Sequence, residues 1–365
     1  MTIYFIAILC AFILSMIFTP IVKKVALFLK VTDKPDARKI HTKLMPRMGG
    51  VGIFLSFLIT YLLMVGLGFF EPTRFITSYV IGSSIIVLTG VLDDKFQISP
   101  KQKLIGQVIA ALVVVLYGGK LNILNLPFVD GYVVLGYLGI PITILWIMGV
   151  TNAINLIDGL DGLAAGVSTI AALSLSATGF LIGNYTVAFI SLILVGATLG
   201  FLYFNFHPAS IFMGDSGSLF LGFSLATLSL LHFKQVTMVT FIIPILVLCV
   251  PISDTLYAII RRLLNKQPIS APDKNHTHHR LLSMGFSHRG AVIVIYVIGI
   301  LFGGISLLLT KLTISVSLLI VFFSLLLIEV IAETIGLVNE EKYKPLLYLW
   351  KFATKKIKIK MFPIK

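Results

Sequence analysis

Oxygen-bearing side chains recur every third residue in the run N-A-I-N-L-I-D-G-L-D-G, residues 152–162. On a helix, Asn152, Asn155 and Asp158 stay within about 120° of one face. Gly159 and Gly162 then loosen the backbone. Two amides and two carboxylates (the second is Asp161) with no neighbouring Lys or Arg form an acceptor-rich patch without its own counter-charge. Such a patch calls for a cation or a donor-rich ligand. A polar cap between two apolar helices is the plainer reading, and four such side chains so close together weigh against it.

Three further groups carry chemistry. Asp93 and Asp94 follow V-L-T-G-V-L. Adjacent carboxylates repel, so one has a raised pKa unless a cation bridges them; this suits a general base or a metal site, or a commonplace acidic helix end. Lys101 and Lys103 follow and could hold phosphate. In F-N-F-H-P-A-S-I-F-M-G-D-S-G (204–217), Asp215 has glycines nearby, where backbone approaches a ligand closely. With Ser216 and Ser218 it offers hard oxygen ligands suited to Mg²⁺; it could equally be an N-cap. In P-D-K-N-H-T-H-H-R (272–280), His276, His278 and His279 precede Arg280. Zinc or phosphate are both open, but the spacing fits no usual zinc pattern. Imidazoles beside a guanidinium suit a pyrophosphate, and a solvated basic loop is the bland alternative. His41, His207, His232 and His288 lack such company and read as structural or solvated.

Apolar helices must position these groups. The chain has 365 residues, 58% hydrophobic and 12% charged. Crossing a bilayer takes roughly 20 apolar residues, and the pattern predicts an all-α polytopic integral membrane protein. About 11 transmembrane helices are expected, near 2–22, 48–70, 75–92, 104–117, 137–153, 163–182, 185–204, 218–232, 237–260, 290–310 and 312–332. Polar chemistry then belongs in loops and at helix ends. The first run lacks a basic leader and a small-residue cleavage site, so it reads as a retained span. Cys10 and Cys249 both lie in apolar runs, which argues against a disulfide framework or a thiolate metal site.

Charge sets the expected orientation. Loops after odd-numbered spans, plus the tail, hold 25 of the 29 Lys and Arg; the other side holds Arg74, Lys120, Lys234 and Lys311. The positive-inside rule then places the N-terminus outside and the C-terminus in the cytoplasm. The net charge of +14 reads as a topology signal and a contact with anionic lipids of the inner leaflet, not as nucleic-acid binding. Residues 118–136 alternate around Pro127 to Gly131, which predicts a small outer hairpin. One transmembrane domain (1–338) carries a cytoplasmic-face active site. A basic tail (339–365) follows, either an amphipathic helix on the inner leaflet or a solvated segment.

Together the groups predict phosphoryl transfer from a soluble, nucleotide-activated donor to a membrane-resident acceptor. The rival from another class is a secondary transporter, whose polar site would lie near the bilayer midplane. Here only Glu329 and Asp254 fall within expected spans. A non-enzymatic scaffold has no use for this set of acids and histidines.

Six segments also carry a family resemblance: P-D-A-R-K-I-H (35–41), P-R-M-G-G (46–50), V-L-D-D-K (91–95), N-A-I-N-L-I-D-G-L-D-G-L-A-A-G (152–166), F-M-G-D-S-G-S (212–218) and H-T-H-H-R (276–280). In order and spacing, over about residues 20–290, they resemble the polyprenyl-phosphate N-acetylhexosamine-1-phosphate transferases, in the WecA/TagO branch. The related MraY branch, which transfers phospho-MurNAc-pentapeptide, has three consecutive histidines instead and is the alternative. The resemblance implies transfer of GlcNAc-1-phosphate from UDP-GlcNAc to undecaprenyl phosphate, with release of UMP. The enzyme would sit in a bacterial cell membrane, depend on Mg²⁺ (Mn²⁺ substituting) and start a cell-wall or surface polymer such as teichoic acid. Asp93 and Asp94 match the catalytic acids near the lipid phosphate. Asp215 matches the principal Mg²⁺ ligand, with Asn155 contributing its amide oxygen. Asn152, Asp158 and Asp161 match substrate contacts, and Phe212 an aromatic stacked on uracil. His276, His278, His279 and Arg280 match diphosphate or sugar contacts, and Lys103 the lysine after the Asp pair. Thr277 replaces a more usual aliphatic residue, and little consequence is expected. Direct displacement and a phospho-aspartyl intermediate both remain open, with the single displacement favoured.

Overall fold

A computed structural model describes residues 2–33, 44–124, 133–233, 238–268, 271, 273 and 275–338. The helices are α1 (Thr2–Phe28), α2 (Gly49–Gly66), α3 (Arg74–Phe96), α4 (Pro100–Val114), α5 (Gly139–Ile157), α6 (Leu163–Leu181), α7 (Tyr185–Asn205), α8 (Gly214–Phe233), α9 (Met238–Val247), α10 (Cys249–Leu264), α11 (Thr277–Ser283), α12 (His288–Leu309) and α13 (Ile314–Ile335). Among the described residues, ten helices are long and apolar enough to cross a membrane: all but α9, α10 and α11. The chain is a polytopic, all-α membrane protein.

The expected ninth span, 237–260, is not one helix. It breaks at Leu248 into α9 and α10. A proline explains the break. Pro251 has no N–H to offer the Val247 carbonyl, and its ring would clash there in a continuous helix. In the first turn of α10 the missing N–H costs nothing. Asp254, Arg261 and Arg262 of α10 are buried, while Leu256, Ile260, Leu263 and Leu264 are exposed.

Helix α8 is the axis of the bundle. Of its membrane-length window, 94% is buried, and α2, α3, α5, α6 and α9 pack around it. Small residues make this possible. A Cβ added to Gly50 or Gly90 would overlap the α8 backbone at Gly217 or Ser216, and one on Gly222 would lie 2.7 Å from Thr151 Cα. Such close approach is how helices associate where apolar burial alone gives no preference for a partner. Two polar pairs lie within this packing: Tyr79 O–H donates to Ser224 Oγ (2.9 Å), and Trp146 Nε1–H to Ser229 Oγ (3.0 Å). Helix α1 meets α7 by the same means. Ala7, Ala11, Ser15 and Thr19, four residues apart, are fully buried, and a Cβ on Gly200 would lie 2.6 Å from the Phe12 carbonyl.

Two short antiparallel pairs complete the described structure. β1 (Thr32–Asp33) pairs with β2 (Met45–Pro46), and β3 (Ile123–Leu124) with β4 (Val133–Val134). The second is the expected hairpin; its tip, Pro127 to Gly131, lies outside the described residues. So do the 35–41 motif, with His41, and the basic tail.

Up-and-down connectivity gathers one set of helix ends together. The C-termini of α1, α3, α5, α7 and α13 meet the N-termini of α2, α4, α6, α8 and α12. Every candidate chemical group belongs to this end. Arg74, Lys120 and Lys311 belong to connections at the other.

Candidate active site

The site is built on the N-terminus of α8. Helix N-termini leave backbone N–H groups without partners. Here the cap comes from another helix: Asp94, at the end of α3, accepts from Asp215 N–H (2.8 Å) and Ser216 N–H (3.1 Å). Its side chain is fully enclosed (0% exposed). Gly214 makes this fit possible. Its φ is +70°, and a Cβ there would lie 2.5 Å from the Asp94 carboxylate oxygens. Asp94 therefore spends both oxygens on α8, while Asp93 next to it stays partly open.

Asp215 is met by two cations. Lys103, from the first turn of α4, pairs with Asp215 and with Asp93 Oδ2 (3.0 Å). Arg47 places its guanidinium nitrogens 3.8 Å from Asp215, 3.7 Å from Asp94 and 4.0 Å from Asp33. Burial disfavours the charge on Arg47. The carboxylates of Asp94, Asp215, Asp33 and Asp158 outweigh that and hold its pKa above the ordinary value. Backbone pairing puts Arg47 there: Phe212 N–H donates to the Pro46 carbonyl (2.9 Å), Gly49 N–H to Phe212 (3.0 Å) and Gly50 N–H to Met213 (2.9 Å). P-R-M-G-G is thus zipped against F-M-G, and Phe212 sits half-buried at this seam.

The end of α5 supplies the next three groups. Asn152 is tied to α4 through a reciprocal amide pair with Gln107, at 2.7 and 3.2 Å. Asn155 donates through its amide nitrogen to Ser218 Oγ (2.8 Å), which leaves its amide oxygen for a ligand. Asp158 caps the C-terminal end of α5. Dense protein around it, and then the Asp215 carboxylate, push its pKa up to about 7 against the pull of Arg47.

Asp161 turns elsewhere. It accepts from His207 Nδ1 (2.8 Å) and Ala209 N–H (3.1 Å). His207 stacks on His288, with ring centroids 4.1 Å apart and planes at 18°, and Arg289 donates to the His207 carbonyl. His207 and His288 are therefore not the solitary histidines the sequence suggested. One carboxylate oxygen and two ring nitrogens come within 4.8 Å of one another. The trio ties together the turn after α5, the connection before α8 and the start of α12.

The histidine loop closes the site. His276 pairs through Nδ1 with Asp254 Oδ2 (2.7 Å). His276 and His278 lie parallel at 6.0 Å, and His279 is tilted on His278 at 4.2 Å. A Cβ on Gly159 would overlap the His278 ring, so this loop rests directly beside Asp158. Burial, and then the neighbouring His279, push His278 down to about 3, so its ring is neutral. Arg280 is directed differently. Its Nε–H donates to the Ile335 carbonyl at the end of α13 (3.3 Å), and Arg261 likewise reaches the Leu337 carbonyl.

Thr277 is not idle, contrary to expectation. Its N–H and hydroxyl both donate to Asp254 Oδ1, at 2.7 and 2.6 Å. Sequence reasoning also passed over Arg47, Gln107 and the role of Asp254. Arg47 was visible inside P-R-M-G-G. A carboxylate within an apolar run was the signal at Asp254. Gln107 gave none.

Five carboxylates, those of Asp33, Asp93, Asp94, Asp158 and Asp215, surround only two cations, Arg47 and Lys103, so acidic groups outnumber basic ones. That surplus, with a free amide oxygen at Asn155, is a donor set that fits one hard divalent cation.

Known proteins resemble this chain over most of its length. The model of glycosyl transferase family 4 matches residues 76–233. A "Probable undecaprenyl-phosphate N-acetylglucosaminyl 1-phosphate transferase" of Bacillus subtilis is 48% identical, covering 96% of this chain and 98% of the relative. A "Decaprenyl-phosphate N-acetylglucosaminephosphotransferase" of Mycobacterium tuberculosis is 36% identical over 79% of this chain and 78% of its own length. A "Phospho-N-acetylmuramoyl-pentapeptide-transferase" of Anoxybacillus flavithermus is 32% identical over 80% and 91%. Identity of 48% over 96% of the chain makes this chain a member of glycosyl transferase family 4.

Proposed function

We propose that the protein transfers GlcNAc-1-phosphate from UDP-GlcNAc to undecaprenyl phosphate, releasing UMP, at the cytoplasmic face of a bacterial membrane. One observation carries the reading: four carboxylates and two cations converge on the N-terminus of α8, beside a loop of three histidines. A transporter would hold its polar groups at mid-membrane; here they share one set of helix ends. The name of the Bacillus subtilis relative supports the sugar and the lipid.

Each residue then has a task. Asp215 and the Asn155 amide oxygen would hold Mg²⁺, which when bound supplies charge neutralisation for a diphosphate. Lys103, held between Asp93 and Asp215, is placed to receive phosphate oxygens. Asp93, the open member of its pair, is the candidate base for the lipid phosphate. Asp94 keeps α8 in place beneath them. The histidines lie where a sugar diphosphate would extend past Asp158. Direct attack by the lipid phosphate needs only one positioned acceptor, and we favour it over a phospho-aspartyl intermediate. A wall polymer such as teichoic acid is the expected destination of the product.

The cytoplasmic assignment rests on charge. Among the described residues, the end that carries the site also carries most of the Lys and Arg. Purified protein in detergent, given undecaprenyl phosphate and Mg²⁺, should release UMP from UDP-GlcNAc and not from UDP-MurNAc-pentapeptide. The reverse pattern would move the chain to the muramyl-transferring branch.

A further inference from the structure

We propose that Asp254 is a positioning residue: through His276 and Thr277 it fixes the tautomer and the orientation of His276 at the sugar-nucleotide end of the site. This deepens the functional reading above and rests on its placement of the histidine loop.

The geometry is that of a buried carboxylate used as an orienter. Asp254 and His276 are 2% and 5% exposed. An unpaired carboxylate there would be costly. This one has three donors: His276 Nδ1–H on one oxygen, and Thr277 N–H and Oγ1–H on the other. His276 has extended backbone (φ −61°, ψ 156°) and starts α11 without capping it by its own side chain. Asp254 supplies that cap from α10. One carboxylate thus sets where α11 begins and how the His276 ring stands.

The chemical consequence follows from hydrogen-bond roles. A carboxylate only accepts, so His276 must carry its proton on Nδ1. Nε2 is then the atom left to a ligand. It offers a lone pair to a hydroxyl when the ring is neutral, or N–H to a phosphate oxygen when the ring is charged. The ring lies parallel to His278, which rests on Gly159 next to Asp158. A rotated or wrong-tautomer His276 would present the wrong group on the side where the donor extends. Thr277 adds a hydroxyl that an aliphatic side chain could not supply.

Asp254→Asn tests the idea at constant volume. Its amide oxygen can keep Thr277, while its NH₂ faces His276 and forces the proton onto Nε2. In full-length protein, kcat/KM for UDP-GlcNAc should fall about 10- to 100-fold, the usual cost of losing an orienting partner. His276→Ala should cost a similar factor. The double variant should be no worse than the poorer single one, because Asp254 acts through His276. Losses that multiply would mean a merely structural Asp254 and would overturn the proposal.

A second readout needs no activity and no Asp254 variant. Histidine-selective ¹⁵N spectra of wild type and His276→Ala, by difference, report the His276 ring. Protonated Nδ1 is expected, and unprotonated Nδ1 would overturn the proposal even with every variant folded. If wild type releases no UMP from UDP-GlcNAc, the functional reading fails, while the ¹⁵N result still decides the pairing.

Discussion

Asp93 and Asp94 are neighbours in sequence with opposite surroundings. Asp94 is sealed against two α8 N–H groups, while Asp93 meets Lys103 and stays partly open. Their variants should therefore separate. Asp94→Ala leaves the α8 N–H groups uncapped in a buried place. It should lower stability by about 1–3 kcal/mol, seen as a lower thermal midpoint in detergent. Asp93→Asn should leave that midpoint nearly unchanged and keep UDP-GlcNAc binding by calorimetry, while turnover is lost. Loss of donor affinity with turnover retained at saturating donor would put Asp93 at the nucleotide instead. The sequence paired the two residues but could not divide their work, because the division depends on α8, more than a hundred residues away.

Elements decide which residues share a neighbourhood, and here the sequence was legible in part. The three-residue spacing in N-A-I-N-L-I-D-G-L-D-G is helical only as far as Ile157, where α5 ends. Past that point Asp158 looks toward Asp215, while Asp161 is carried to His207 by a turn ending at Gly162 (φ +78°). Periodicity could not show that fork. Nor could it show the Gln107–Asn152 pair, whose members lie 45 positions apart, or the break between α9 and α10, which Pro251 nonetheless marks. Apolar run length did find the ten long helices. Their tight packing makes a prediction of its own. Gly90→Ala would drive a Cβ into Ser216 and push α3 off α8, so little monodisperse protein should survive extraction. Gly66→Ala, with nothing within 4 Å, should extract like wild type. Equal yields from both would contradict the close α3–α8 contact.

At the scale of the whole molecule, all of the chemistry stands at one end of a helix bundle, and among the described residues so does most of the positive charge. With Cys10 and Cys249 replaced by Ser, single cysteines at Lys311 and Lys266 test the orientation. A membrane-impermeant thiol reagent on intact cells should label position 311 and spare 266; the opposite pattern would invert the topology. The central claim is that the carboxylates around α8 form a cation-dependent site for sugar-phosphate transfer. Its most direct test is UMP release from UDP-GlcNAc and undecaprenyl phosphate by purified wild type and Asp215→Asn, each with chelator and then with excess Mg²⁺. The account predicts that chelation stops wild type and Mg²⁺ restores it. It also predicts that Asp215→Asn stays slower by at least about 10³, a loss of several kcal/mol of charge stabilisation. Full turnover by Asp215→Asn, or by chelated wild type, would contradict it.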